Sequence, residues 1–285
     1  MNQRTLRQLI IGMLAALNLV LAVFLIRSYT KTDSASATHL DEVLLLYERA
    51  GLSFEETPVP SYKTWTELQL GTADLDQMVE NYLDSQMITS YRKSYIYGAK
   101  AQYQTDSLTF LTNRPQHTIT YTNDAAAPWK MPQGLTEDEL MSMIQPLARR
   151  FAESWLGDVF LSEWRKDENG YRFVYRQMKE DQIYFFNTIS LLVTMEGVRT
   201  AVVTVWDING SAGSIQAIPQ DEMLYAGLIQ IGNAGEAPGH VERISDGYVI
   251  ASTSAHEGEQ TARAVPVQTI YLSSGRSFTT RYCGN

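Results

Sequence analysis

Few residues in this chain can do chemistry beyond ordinary carboxylates and amines. The four histidines, His39, His117, His240 and His256, stand far apart, so no two have metal-ligand spacing. Cys283 is the only cysteine, which excludes an internal disulfide, a thiolate zinc site and an iron–sulfur cluster. The sequence holds no H-E-x-x-H, no G-x-S-x-G and no G-x-x-x-x-G-K-S/T. Gly210-Ser211-Ala212-Gly213-Ser214 resembles a nucleophile elbow in composition but lacks its spacing, and reads as a hairpin turn. His256-Glu257 has the types of an acid–base pair and reads as a solvated loop. Glu137-Asp138-Glu139 fits the first turn of a helix, where negative charge suits the dipole. Asn209-Gly210-Ser211 has the glycosylation acceptor pattern and reads as a turn. No catalytic residue, metal site or cofactor is expected.

One polar side chain stands out by where it sits. Leu9 to Ile26 reads LIIGMLAALNLVLAVFLI, with Asn18 the single polar residue. Eighteen residues at 1.5 Å rise give about 27 Å, close to the hydrocarbon thickness a spanning helix covers. Gly12 and Ala16 form a small-xxx-small pair, while Ala15, Asn18 and Ala22 share a second face. Small residues let a partner helix approach, and a membrane Asn can hydrogen-bond it for about 0.6–2 kcal/mol. These five residues are the candidate contact to a partner transmembrane helix. Ala35-Ser36-Ala37 has the small-x-small form of a cleavage site, eleven residues beyond Ile26. The expected order is a cytoplasmic tail over 1–8, an anchor over 9–27 and a tether over 28–37. Arg4, Arg7 and the terminal amine precede the helix, and Arg27 and Lys31 follow it. That bias places the N-terminus in the cytoplasm and the body outside it, in a single pass through the cell membrane.

The body after the tether divides into two α+β halves, expected as domains over 38–127 and 134–285. The first opens with a helix whose apolar residues Leu40, Val43, Leu44 and Tyr47 recur at three and four, with Gly51 as its stop. Leu52-Ser53-Phe54 then alternates toward Pro58 and Pro60. A second helix fits 75–87, followed by short strands near 94–97, 101–103, 107–112 and 117–121. The second half opens with a capping box, Thr136 and Glu139, and a stripe from Leu140 to Phe151. Pro146 is expected to kink or break that helix. Strands follow near 160–165, 171–177, 183–186, 190–194 and 199–206. Asn169-Gly170 and Asp207-Ile208-Asn209-Gly210 are read as hairpin turns. A helix from Gln220 and three last strands complete the chain. Helix first, then antiparallel strands, recurs in both halves, suggesting duplication of a unit with helices on one sheet face.

Charge and aromatics bear on partners. The chain carries 23 Lys and Arg against 32 Asp and Glu, a net charge of −9. Residues 1–37 hold four cations against Asp33, or +3, so the body carries −12. A body this acidic excludes nucleic acid as a partner, because that affinity rests on basic groups meeting phosphates. Tyr91, Tyr95, Tyr97 and Tyr103 cluster on adjacent strands, as do Tyr171, Phe173 and Tyr175. Alternating aromatics pack a core; tyrosines facing solvent mark a protein interface.

Several tracts resemble the YycI family, membrane-anchored regulators of the YycG (WalK) histidine kinase and relatives of YycH. Leu17-Asn18-Leu19 is similar to that family's membrane segment. The tract from Leu44 through Gly51-Leu52-Ser53-Phe54 to Pro60 resembles its helix, glycine, strand and proline succession. Ile244-Ser245-Asp246-Gly247-Tyr248 resembles its Ile-x-x-x-Gly-Tyr strand, and Val265-Pro266-Val267 with Ser274-Gly275 its closing hairpin. Where the family has an aromatic two residues after that proline, this chain has Gln268. The resemblance implies a non-enzymatic protein of the extracytoplasmic face, engaged in cell-wall homeostasis. Its implied partners are the membrane, a sensor histidine kinase, and a YycH-like sister protein or a second copy. Two rival expectations are a wall-associated hydrolase or binding module with facing carboxylates, and a secreted domain released at Ala37.

Overall fold

The computed structural model describes residues 39–58, 65–98, 100–125, 134–215, 219–256 and 259–282. The described residues fall into two discontinuous compact units, one holding those within 39–63, 218–244 and 270–280, the other those within 64–217, 245–269 and 281–282. The class is mixed α+β, dominated by antiparallel pairing. No helix among the described residues is long and apolar enough to cross a membrane. The expected anchor over 9–27, with Gly12, Ala15, Ala16, Asn18 and Ala22, lies outside them.

The smaller unit forms around helix α1 (39–49) and strand β1 (Leu52–Phe54). Leu40, Tyr47 and Leu52 are buried with Leu224, Ile231, Val241, Ile270 and Leu272, residues of later segments. The Tyr47 hydroxyl donates to the Leu224 carbonyl at 2.8 Å, so the ring is buried without an orphaned polar atom. Gly227 explains itself here, because a Cβ on it would run into the Ile270 side chain. A mid-helix glycine costs about 1 kcal/mol against alanine, and close packing is what it gains.

The larger unit contains a twice-repeated motif. Helix α2 (Leu75–Ser85) precedes β3 (Arg92–Ile96), β4 (Lys100–Gln104), β5 (Leu108–Asn113) and β6 (Thr118–Asn123). Helix α3 (Glu137–Leu156) precedes β7 (Val159–Asp167), β8 (Gly170–Lys179), β9 (Gln182–Thr194) and β10 (Gly197–Thr204). Each set of four strands is an antiparallel meander. The last strands of the two sets pair antiparallel, with Thr120 opposite Val202. The resulting order is β3-β4-β5-β6-β10-β9-β8-β7, with both helices in one core. Alternation does the sorting: Phe110, Ile119, Tyr121, Phe173, Tyr175, Ile189, Leu191, Ala201 and Val203 all turn inward beneath the helices. The expected halves, 38–127 and 134–285, contribute one repeat each.

Beyond the meanders, β2 (Trp65–Thr72) pairs with β11 (Trp206–Ile215) and with the second of two long late strands, β13 (Glu259–Leu272). The first of these, β12 (Gly239–His256), runs parallel to β9 through Gly247 and Tyr248. Helix α4 (Gln220–Asn233) precedes β12, and β14 (Ser277–Arg281) ends the described chain.

Two local readings are corrected and a third is narrowed. Asp207-Ile208-Asn209-Gly210 is not a hairpin turn, since β11 runs straight through it against β2. The register shifts between Ile208 and Gly210 and again between Ser211 and Gly213. Gly210 and Gly213 have φ of 145° and 140°, so the glycines serve two β-bulges. The runs 183–186 and 190–194 are one strand, β9, because Asn187 sits buried and satisfied between them. Its amide donates to the Trp206 carbonyl at 3.1 Å and its carbonyl accepts from the Trp206 N–H at 2.7 Å. Pro146 does not end α3. It removes one backbone hydrogen bond, while buried Leu140, Ile144, Ala148 and Ala152 hold the helix on both sides of it.

Candidate interaction surface

The two tyrosine clusters part company in the structure. Tyr171, Phe173 and Tyr175 are core residues of β8. Tyr103 is fully buried on β4, yet Tyr95 is 76% exposed and Tyr97 is completely exposed. Ile96 between them is exposed as well. They belong to β3 and the turn that leaves it, and among the described residues β3 pairs with β4 alone. An unpaired edge carries backbone donors and acceptors ready for another strand.

Behind that edge lies a network of charge. Asp76 and Glu80 stand one turn apart on α2. The Asp76 carboxylate, nearly buried, accepts from the Thr112 hydroxyl at 3.0 Å and from Arg114 at 3.2 Å. Lys93 of β3 donates to Glu80 at 2.9 Å and lies 3.7 Å from Asp76. Its ammonium also sits over the Tyr103 ring at 4.8 Å and the Tyr95 ring at 5.5 Å. Its hydrogen bond with Tyr103, and then that with Glu80, raise the Lys93 pKa against the opposing pull of burial. Burial pushes the Tyr103 phenol up to about 12. A cavity of about 220 Å³ opens at this end of the sheet, lined by Asp76, Tyr95, Ile96, Lys100, Ala101 and Arg114.

At the turn between β5 and β6, His117 adopts a left-handed conformation with φ of 53°. Its ring is buried and stacks on Trp206 at 3.6 Å. Nε2 lies 2.8 Å from the Gln260 side-chain oxygen, and Nδ1 has no hydrogen-bond partner among the described residues. Burial lowers its pKa, because a second ring proton would find no acceptor there.

The remaining sequence candidates are dispersed. His39 lies on the exposed face of α1, 3.7 Å from Glu42, and His240 lies 2.8 Å from the Ser53 hydroxyl. Among the described residues no three His, Cys, Asp or Glu side chains gather as a metal site. Glu139 closes the capping box: its carboxylate accepts from the Thr136 N–H at 2.9 Å, and its own N–H donates to the Thr136 hydroxyl. Gln268 is buried and donates to the Tyr282 hydroxyl at 3.3 Å, which in turn donates to Asp246 at 2.8 Å. Glu257 and Cys283 lie outside the described residues.

Sequence reasoning missed the Asp76–Glu80–Lys93–Arg114 network. Its signal was two carboxylates at i and i+4, flanking the apolar stripe Leu75, Val79 and Leu83. Nothing local revealed that cations from β3 and the β5–β6 turn would meet them.

No protein-family model matches the chain, and no curated protein matches it. Among solved structures it is similar to an uncharacterized protein from Eubacterium rectale ATCC 33656. That similarity has 11% identity and a TM-score of 0.45, over 81% of this chain and 86% of that one. It is also similar to the Bacillus megaterium YpeB C-terminal domain, at 10% identity and a TM-score of 0.39 over 75% and 99% of the two chains.

Proposed function

We propose that the chain is a membrane-anchored, extracytoplasmic regulatory protein that modulates a sensor histidine kinase of the YycG/WalK type. In this reading the apolar segment over 9–27 holds it in the cell membrane, and the acidic body works outside by binding protein. The observation that carries the protein-binding part is the β3 edge, unpaired among the described residues, with Tyr95 and Tyr97 turned to solvent. Exposed tyrosines have the composition of an interface centre. The identity of the kinase rests on the resemblance to the YycI family at Leu17-Asn18-Leu19 and in the later tracts. A partner helix biases a kinase only by binding one of its signalling states better than the other.

Asn18 is the residue to test. Asn18→Leu removes the one polar group of the apolar segment, and is expected to weaken association with a kinase membrane helix several-fold, the hydrogen bond being worth about 0.6–2 kcal/mol. A membrane two-hybrid assay reads this directly. A signal unchanged by the substitution removes Asn18 from the proposal. Failure to recover any histidine kinase by cross-linking in native membranes removes the kinase.

A further inference from the structure

The sequence of β3, Arg-Lys-Ser-Tyr-Ile over residues 92–96, is complementary to itself when read antiparallel. Centred on Ser94, Arg92 meets Ile96 and Lys93 meets Tyr95, twice over, and Ser94 meets Ser94. No like charges stand opposite one another in that register. Moving it two residues toward the N-terminus sets Arg92 against Arg92, and moving it one residue sets Lys93 against Lys93; both are destabilising. Moving it toward the C-terminus runs β3 past its end into the turn at Tyr97 and Gly98. One register alone pairs all five residues without repulsion.

We propose that β3 is a self-pairing edge, through which two copies of this chain join their eight-stranded sheets antiparallel about Ser94. The inference rests on the protein-binding reading of this edge and names its occupant. Of the two cations of β3 only exposed Arg92 is left to draw in an acidic strand, and the register favours a second copy. The Lys93 ammonium is already held by Glu80 at 2.9 Å and by Asp76 at 3.7 Å, so it offers an incoming strand no free charge. It does offer a cation poised beside aromatic rings, and the opposing Tyr95 supplies one more. The pairing lies in the plane of the sheet and leaves the face covered by α2 and α3 unchanged. It also covers Tyr95 and Ile96, which are solvent-exposed in the single chain. The contact is isologous and closes as a dimer, whereas joining β3 to β7 at the far end of the sheet would be head-to-tail and open-ended. Five residues a side make a small contact, and confinement of both copies to one membrane raises their effective concentration.

The dyad gives a sharp test. In an antiparallel pair, residues directly opposite have Cα atoms about 4.5–5.5 Å apart, within disulfide reach. In the full-length chain carrying Cys283→Ser, Ser94→Cys is expected to form an intermolecular disulfide under mild copper–phenanthroline oxidation in native membranes. Arg92→Cys sits four residues from its own copy, about 13 Å, and is expected to cross-link at least about tenfold more slowly. Adding Tyr95→Lys to Ser94→Cys places lysine opposite Lys93 and is expected to abolish the product. Both positions are exposed, so folding is not at stake. Equal rates for Ser94→Cys and Arg92→Cys overturn the pairing, as does a product indifferent to Tyr95→Lys. Kinase association through Asn18 is read separately, so loss of either result leaves the other standing.

Discussion

The two repeats of the larger unit share a plan and differ in how their helices cover it. α3 has 20 residues and packs on β7, β8, β9 and β10. α2 has 11 residues and packs chiefly on β5 and β6. The long helix buries an apolar stripe of Leu140, Ile144, Ala148 and Ala152, and its sheet closes as a core. The short one leaves β3 and β4 under partial cover, and there carboxylates, cations and exposed tyrosines take the place of aliphatic packing. One repeat therefore serves stability, while the other keeps an open, polar, aromatic edge.

The sharpest way to break that contrast is at the joint between the helices. Tyr82 of α2 stacks on Trp155 of α3 at 4.7 Å with an interplanar angle of 13°, and both are buried. Trp155→Ala is expected to cost about 3–5 kcal/mol, the range for removing a buried tryptophan. Because the repeats share one core, amides of β5 and β9 should lose hydrogen-exchange protection together. Loss confined to β9 would show that the repeats open independently.

The polar network is the next test. Asp76→Asn leaves Arg114 without a charged acceptor and Lys93 with Glu80 alone, in a site where Asp76 itself is nearly buried. A loss of about 2 kcal/mol is expected in urea denaturation, as for a hydrogen-bonded buried charge. Arg114 is half exposed and adds little of this. Combining Asp76→Asn with Lys93→Met should cost less than the sum of the two, since both remove one shared contact. Strict additivity would mean that the ion pair contributes nothing to the difference between the repeats.

These sites also mark how far the sequence could be read. The helix-then-strands order of each repeat followed from periodicity, because α3 carries an apolar stripe at three and four and a complete capping box. The tyrosine clusters could be located but not sorted: Tyr95 and Tyr103 both alternate on neighbouring strands, and only the edge position of β3 separates them. The glycines of β11 read as a turn because Asn-Gly is a turn signal, and pairing with β2, far away in sequence, overrides it. The pairing of β6 with β10 across some eighty residues of chain has no local signature at all. The candidate contact around Asn18 was legible as composition, and lies outside the described residues.

The smallest effect concerns protons, and again the repeats differ. The turn between β9 and β10 is Met195-Glu196, without a histidine, whereas the β5–β6 turn carries His117. Its pKa is lowered from an ordinary 6.5, so the folded chain resists the proton that the unfolded chain accepts. Above pH 6.5 the ring is neutral in both states and stability does not depend on it. As pH falls below 6.5 the unfolded state gains the proton first, and stability drops, by at most about 1.4 kcal/mol per pH unit for one group. The chain has three other histidines, so the contribution of this ring is isolated by difference. His117→Asn keeps a residue type that tolerates φ of 53° and removes the imidazole. It should be less stable than the parent at pH 7.5, having lost the stack on Trp206, with the gap narrowing steadily toward pH 5.5. A gap that stays constant across that range would show that His117 takes its proton as readily folded as unfolded, and that the open repeat is no more sensitive to acid than the closed one.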